Sequence, residues 1–185
     1  MHKLRLLAAA LGAAAALSAQ AAPVAFNGHW YEYFGDAVTA QNAFALAGAS
    51  SFNGMQGYLV TVTSAAENTF VANLAQGNLA WLGGSDDGDA VNSWTWRVGP
   101  EAGQAFGYTN WNAGEPNDCC GGENYVHINW GGLGLWNDHG GPGNPNQING
   151  YVVEYSASGV VPEPASLALV GLGLVGAAAA RRRRI

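Results

Sequence analysis

The chain has 185 residues, with seven Lys and Arg against 13 Asp and Glu, two cysteines, 27 glycines and seven tryptophans. That length permits one or at most two domains, and the composition excludes a disordered or collagen-like polymer. Six of the seven basic residues lie near the ends (Lys3, Arg5 and Arg181 to Arg184), so residues 23–160 set Arg97 alone against 12 carboxylates, a formal charge of −11. This balance excludes nucleic acid as a partner, because phosphates need Lys and Arg to displace their counterions; cations and neutral polar ligands suit it.

Residues 1–22 read as a secretory signal, with Lys3 and Arg5 as the charged start, Leu6 to Leu17 as the apolar stretch and Ala19-Gln20-Ala21 as a small-residue cleavage site. The competing reading is a buried Ala-rich helix; the pattern favours export. Residues 23–160 form the expected domain, rich in glycine and holding all seven tryptophans. Trp30 to Phe34 suits a first strand, short and aromatic. Asp36 to Ala47 carries Val38, Ala40, Ala43, Phe44 and Ala47 at helical spacing and should end at Gly48.

Gly57 to Val62 is β-branched and predicts a strand, and Ser64-Ala65-Ala66-Glu67 spells a capping box, in which Ser64 accepts from the Glu67 N–H while Glu67 reaches back. The second helix should run to about Leu74 and bury Phe70, Val71 and Leu74. Short strands follow at Leu79–Gly83, Ser93–Arg97, Asn124–Trp130, Leu133–Trp136 and Gly150–Ser156, separated by loops rich in glycine and asparagine. Two early helices and later small antiparallel strands make the class α+β. Residues 99–122 have few strand signals, and a loop of that length within a compact domain is usually functional.

That loop contains Trp111-Asn112-Ala113-Gly114-Glu115-Pro116-Asn117-Asp118, followed by Glu123-Asn124 and later by Trp136-Asn137-Asp138. These are carboxylates and carboxamides, the oxygen donors that a hard cation such as Ca²⁺ prefers. Glu115, Glu123 and Asp138 would bring three negative charges into one small volume; without a cation they repel, and some must take up protons.

The C-terminus begins Val161-Pro162-Glu163-Pro164, continues through an apolar run from Ala165 to Ala180 and stops at four arginines. The run is slightly shorter than the ~20 residues that comfortably span a bilayer. By the positive-inside rule the arginines would stay cytoplasmic, tethering the unprocessed chain to the membrane at its C-terminus. The order of these three parts closely resembles the PEP-CTERM sorting signal of Gram-negative bacteria, over residues 161–185. The resemblance implies recognition by an exosortase in the inner membrane, removal of the tail, and delivery to the cell surface or an extracellular matrix, typically in bacteria that make exopolysaccharide. A permanent single-span anchor is the alternative.

Over roughly residues 28–156 the sequence resembles the C-type lectin-like domain. The landmarks in order are the early aromatic strand, Tyr58-Leu59-Val60-Thr61-Val62 leading into Ser64-x-x-Glu67-Asn68, Trp81-Leu82-Gly83, Trp94-x-Trp96, Trp111-x-x-Gly114-Glu115-Pro116-Asn117, Glu123-Asn124, Trp136-Asn137-Asp138 and Tyr151-Val152-Val153-Glu154. The resemblance implies a lectin-like α+β fold with a long calcium-binding loop. It implies a principal Ca²⁺ held by Glu115, Asn117, Glu123, Asn137 and Asp138, with Pro116 in the cis form. The Glu-Pro-Asn tripeptide marks sites selective for mannose-like sugars in that family. Two neighbouring sugar hydroxyls would complete the shell, donating to Glu115 and Glu123 and accepting from the amides of Asn117 and Asn137. Asp86, Asp89 and Asp118 are candidates for an auxiliary Ca²⁺, although Asp86-Asp87-Gly88-Asp89 fails the EF-hand spacing and a solvated acidic turn is an equal reading.

The family's usual two disulfides are missing, with Tyr125 and Val153 where cysteines are common and none in the first helix. The two cysteines present, Cys119 and Cys120, are adjacent, which leaves a vicinal bridge, intermolecular bonds or free thiols, the first slightly favoured. Adjacent cysteines do not suit a structural zinc site with His127 and His139, because such sites place two to four residues between paired thiolates. The two histidines therefore read as ordinary surface or packing residues, and Trp81, Trp94, Trp96, Trp111 and Trp136 as core. No nucleophile elbow or phosphate-binding glycine loop occurs, so an enzyme is not expected. The expected function is calcium-dependent binding of mannose-like or exopolysaccharide sugars by an exported, matrix-sorted protein. The alternative is an adhesive matrix protein whose calcium-stabilised fold binds a protein partner.

Overall fold

The computed structural model describes residues 22–141 and 147–157. The export segment and the C-terminal apolar run lie outside the described residues, and with them the expected membrane tether. Among the described residues no helix is long and apolar enough to cross a membrane.

The first hairpin of the domain pairs with its last strand. β1 (Val24–Phe26) turns back on β2 (His29–Phe34), and β2 runs antiparallel to β9 (Tyr151–Tyr155), with Trp30 opposite Tyr155 and Phe34 opposite Tyr151. β9 is the hub of the sheet: it also pairs with β4 (Met55–Leu59), and runs parallel to β5 (Ala80–Ser85) where Trp81 meets Tyr151. Beyond β5 come β7 (Tyr125–Ile128) and β8 (Trp136–His139). Short strands β3 (Ser51–Phe52) and β6 (Thr95–Trp96) pair with β4 and β5. Two helices complete the α+β fold, α1 (Ala40–Ala49) and α2 (Ala65–Leu74).

The period of two along each strand divides the apolar residues between two cores. Leu82, Val126, Ile128 and Val152 join Val60, Val62, Val71, Trp96 and Trp136 in one; Trp81, Tyr151 and Val153 join Leu59 and the α1 alanines 40, 43 and 47 in the other. Two buried indoles satisfy their only donor: Trp81 Nε1 donates to the Val38 carbonyl at 2.9 Å and Trp136 Nε1 to Asn68 Oδ1 at 2.7 Å. Tyr125 and Val153, standing where the resembled family often has cysteine, belong to the core under α1. There the Tyr125 ring lies 6.0 Å from that of Phe44 on the helix, so packing takes the place of a covalent tie.

Several boundaries differ from the sequence reading. α1 starts later, capped by Thr39, and runs through Gly48 to Ala49, so Gly48 is not its terminator. Ser64 does cap α2, accepting from the Glu67 N–H at 3.3 Å. Glu67, however, reaches past the cap to the backbone and hydroxyl of Thr63 and receives the Tyr31 hydroxyl at 2.7 Å, tying the helix start to β2. Phe70 and Leu74 are only half-buried, whereas Val71 is fully buried. The strand expected at Leu133–Trp136 is instead Trp136–His139. Leu133 is exposed, and the preceding turn closes through Trp130 N–H to the Leu135 carbonyl.

Candidate functional site

The long loop is fastened to the core through Trp111. Asn112 N–H donates to the Trp136 carbonyl at 2.8 Å, and Trp136 N–H donates to the Asn110 carbonyl at 2.9 Å. Beyond this anchor Gly114 takes φ +92°, a conformation that glycine adopts without a Cβ penalty, and Glu115 N–H closes the turn on the Asn112 carbonyl. The Glu115–Pro116 peptide is cis, as expected.

Opposite this loop stands the β7–β8 hairpin, in which His127 pairs with Asn137 and Val126 with Asp138. The shift of β8 by three residues from its expected start places Asn137 and Asp138 in a strand, which fixes their backbones. Asp138 is fully buried and gathers the loop: its carboxylate accepts from Asn117 N–H at 3.1 Å and from Asp118 N–H at 2.7 Å. Asp118 in turn accepts from Glu123 N–H at 3.0 Å, and Asn117 Oδ1 from Cys119 N–H at 2.9 Å. Cys119 and Cys120 form a disulfide within the short 3₁₀ turn Cys119–Gly121, the vicinal bridge of the three options.

Between loop and hairpin lies a cavity of about 250 Å³, walled by Glu115, Asn117, Glu123, Asn137, His127 and His139, with Trp130 at its edge. Four of the five principal ligands named from the sequence thus meet in one cavity, and Asp138 holds the loop beside it. Asn137 Nδ2 donates to His127 Nε2 at 3.2 Å and to the Asp138 carbonyl, which engages both amide protons and leaves Oδ1 as its free donor atom to a cation. His139 Nδ1 contacts Glu123 Oε1 at 3.1 Å.

The electrostatics are those of a site with excess negative charge. Burial first, then the charges of Asp138 and Glu123 and a hydrogen bond with the Asp138 carboxyl, push the Glu115 carboxyl above its ordinary range. Its Oε2 is buried with no hydrogen-bond partner. His127 shows the opposite tendency: burial, then the neighbouring His139, hold it down to about 3, so the ring is neutral. Among the described residues no three acidic, His or Cys side chains are grouped as a ready-made metal cage. The donor set nonetheless fits a hard cation: it is made of carboxylate and amide oxygens, and one buried carboxylate oxygen lacks a partner.

The acidic turn is elsewhere. Asp86 accepts from Asn92 N–H at 2.8 Å and from Asn124 Nδ2 at 3.2 Å, and Asp89 forms an ion pair with Arg97 at 2.7 Å. Asp86 and Asp89 therefore organise the β5–β6 connection, while Asp118 braces the Glu123 backbone. The sequence does not mark His127, His139 and Trp130 as site residues. His127 and His139 alternate with core positions on β7 and β8, so only the hairpin register shows that they face the cavity. Trp130 is 46% exposed although it is a large aromatic, which only the structure shows.

Residues 49–140 match the family model described as the lectin C-type domain, and residues 160–184 match the PEP-CTERM protein-sorting motif. Among curated proteins, the chain is 37% identical over 140 residues to halomucin of Haloquadratum walsbyi, covering 71% of this chain and 1% of that protein. It is also 37% identical over 87 residues to ladderlectin of Oncorhynchus mykiss, covering 43% of this chain and 42% of that one. The chain thus spans less than half the length of either curated relative. Among solved structures, the C-type lectin CEL-I of Cucumaria echinata superposes with a TM-score of 0.62 at 24% identity, over 77% of this chain and 99% of that one. The cow CD23 carbohydrate-recognition domain, solved in the presence of a GlcNAc2Man3 oligosaccharide, superposes at 0.58 with 27% identity, over 76% and 98%.

Proposed function

Because this chain belongs to the C-type lectins through its central domain and carries a PEP-CTERM protein-sorting motif, we propose that its loop–hairpin cavity binds a mannose-like sugar through a calcium ion. C-type lectin domains are non-catalytic carbohydrate-binding units, and the sorting motif directs export to the cell surface in Gram-negative bacteria, so the chain is an exported binding protein and not an enzyme.

The observation that carries the calcium reading is Glu115, whose half-buried carboxyl is pushed above its ordinary range by burial and by two neighbouring acids and has a buried oxygen without a partner. A divalent cation removes that frustration. Glu115, Asn117, Glu123, Asn137 and Asp138 would hold it, and when bound it supplies a coordination point for two neighbouring sugar hydroxyls. The chain's own groups then set specificity. The carboxylates of Glu115 and Glu123 accept the hydroxyl protons, the Asn117 amide donates, and Asn137 contributes its oxygen because its amide protons are held by His127 and the Asp138 carbonyl. Trp130 offers a half-exposed aromatic face at the edge of the cavity for the apolar side of a sugar ring.

Export through a leader at residues 1–22 and removal of the tail at 161–185 by an exosortase complete the proposal, with the membrane tether transient. Intact Arg181–Arg184 in surface-extracted protein by mass spectrometry would refute the processing step. For the site, calcium is expected to raise the melting temperature of the wild type, since a ligand bound only by the folded state must stabilise it. It should also enable mannoside binding, with Glu115→Gln losing both effects. No thermal shift at millimolar calcium refutes the calcium site; a shift with no glycan bound would favour the matrix-protein alternative.

A further inference from the structure

Behind the Glu115-Pro116-Asn117 segment lies a groove of about 660 Å³, larger than the cavity itself. Trp94, Phe106, Trp111 and Pro116 supply its apolar surface, and the exposed Ser93 and Thr109 supply hydroxyls. No ionisable side chain lines it. The rings brace one another: Trp94 and Trp111 lie 5.1 Å apart, and Phe106 stacks within 27° of Trp111 at 6.4 Å. Trp111 is further fixed by its bridge to Trp136. The aromatic faces are therefore held before any ligand arrives, which reduces the ordering cost of binding.

The groove and the cavity share no lining residue, but the same tripeptide contributes to both. Glu115 and Asn117 face the cavity, whereas Pro116 between them belongs to the groove. A ligand that extends past the tripeptide meets planar apolar faces beside neutral hydroxyls. A pyranose presents the matching surface: one face of C–H groups, a rim of hydroxyls and no charge.

We propose that this groove is a second sugar subsite, holding a further pyranose of the same oligosaccharide whose first sugar occupies the cavity. Its C–H face lies on Trp111 and Phe106 and its hydroxyls reach Ser93 and Thr109. The proposal rests on the sugar-binding reading above and extends it from a single sugar to a polysaccharide chain.

The test uses the full chain with calcium, methyl mannoside and a linear mannotriose, read by titration calorimetry. The wild type is expected to bind the trisaccharide about tenfold more tightly than the monosaccharide, with nuclear Overhauser contacts from the trisaccharide to the Trp111 indole. Ala105→Trp and Thr109→Trp, at exposed positions lining the groove, should each remove that advantage while leaving monosaccharide affinity and melting temperature unchanged. Equal affinity for the two sugars, or an advantage that survives both variants without indole contacts, overturns the subsite and leaves the cavity reading standing. No binding of either sugar by the wild type overturns both. A fluorescent fatty-acid probe bound by the wild type and excluded by Ala105→Trp assigns the groove to acyl chains instead and overturns the proposal.

Discussion

Protonation of His127 should make the domain acid-sensitive well above the range in which carboxylates titrate. Its ring is only 1% exposed and packs 5.8 Å from Trp81 and 5.7 Å from His139. Burial and His139 lower its pKa from 6.5 to about 3. The folded state therefore binds this proton less readily than the unfolded chain, and the stabilisation is fully present above pH 6.5 and declines as the pH falls toward 3. Linkage gives a loss of about 2 kcal/mol between pH 7 and pH 5 from this one group, a large part of the ~5–15 kcal/mol that holds an ordinary domain folded. Urea unfolding with calcium chelated, at half-unit steps over that interval, measures it. His127→Gln keeps a side-chain acceptor for Asn137 and removes the titration, so the variant's stability should be flatter by that amount. Parallel pH dependences of wild type and variant over pH 7 to 5 would show that His127 does not titrate in this way.

Two further perturbations separate packing from recognition. A Cβ on Gly83 would lie 2.5 Å from the Leu59 carbonyl oxygen and 2.9 Å from Val98 Cγ2, and the first of these is backbone. Gly83→Ala should therefore cost about 1–3 kcal/mol in chemical denaturation, and a change below ~0.5 kcal/mol would mean that β4 and β5 can separate at that point. Trp130→Ala removes a ring that is 46% exposed, so melting temperature should hold while mannoside affinity falls about fivefold, the worth of ~1 kcal/mol of aromatic contact. Unchanged sugar affinity would remove Trp130 from the site.

Much of the architecture was legible in the order of residues, because local patterns carry it. The capping serine before α2 and the alternation through Trp81-Leu82 each need only near neighbours to act, whereas the β-branched residues Val60 to Val62, expected in a strand, lie beyond β4, which ends at Leu59. The start of β8 was not, because the glycine-rich turn 131–134 could end on either side of Trp136. Pairing with β7 decides it, burying Trp136 against Asn68 and extending the strand to His139. Gly48 misled for a related reason: a glycine can end a helix, but here contact of α1 with the sheet continues to Ser50, whose hydroxyl caps the Ala47 carbonyl at 2.7 Å.

The chemistry of this protein is already present in its residue order: an acidic, lysine-poor domain, oxygen donors concentrated in one loop and one Trp-Asn-Asp triplet, and ends with the composition of export and sorting signals. Those properties belong to residue types and to spacing along the chain. Which donors share a cavity depends instead on how the strands pair. The β7–β8 register brings Glu115, Asn117, Glu123 and Asn137 together with two histidines, while Asp89 is drawn to Arg97 and Asp86 to the β5–β6 turn. The reason is physical: ligand type is a property of one side chain, whereas convergence depends on backbone hydrogen bonds between segments that are separated along the chain.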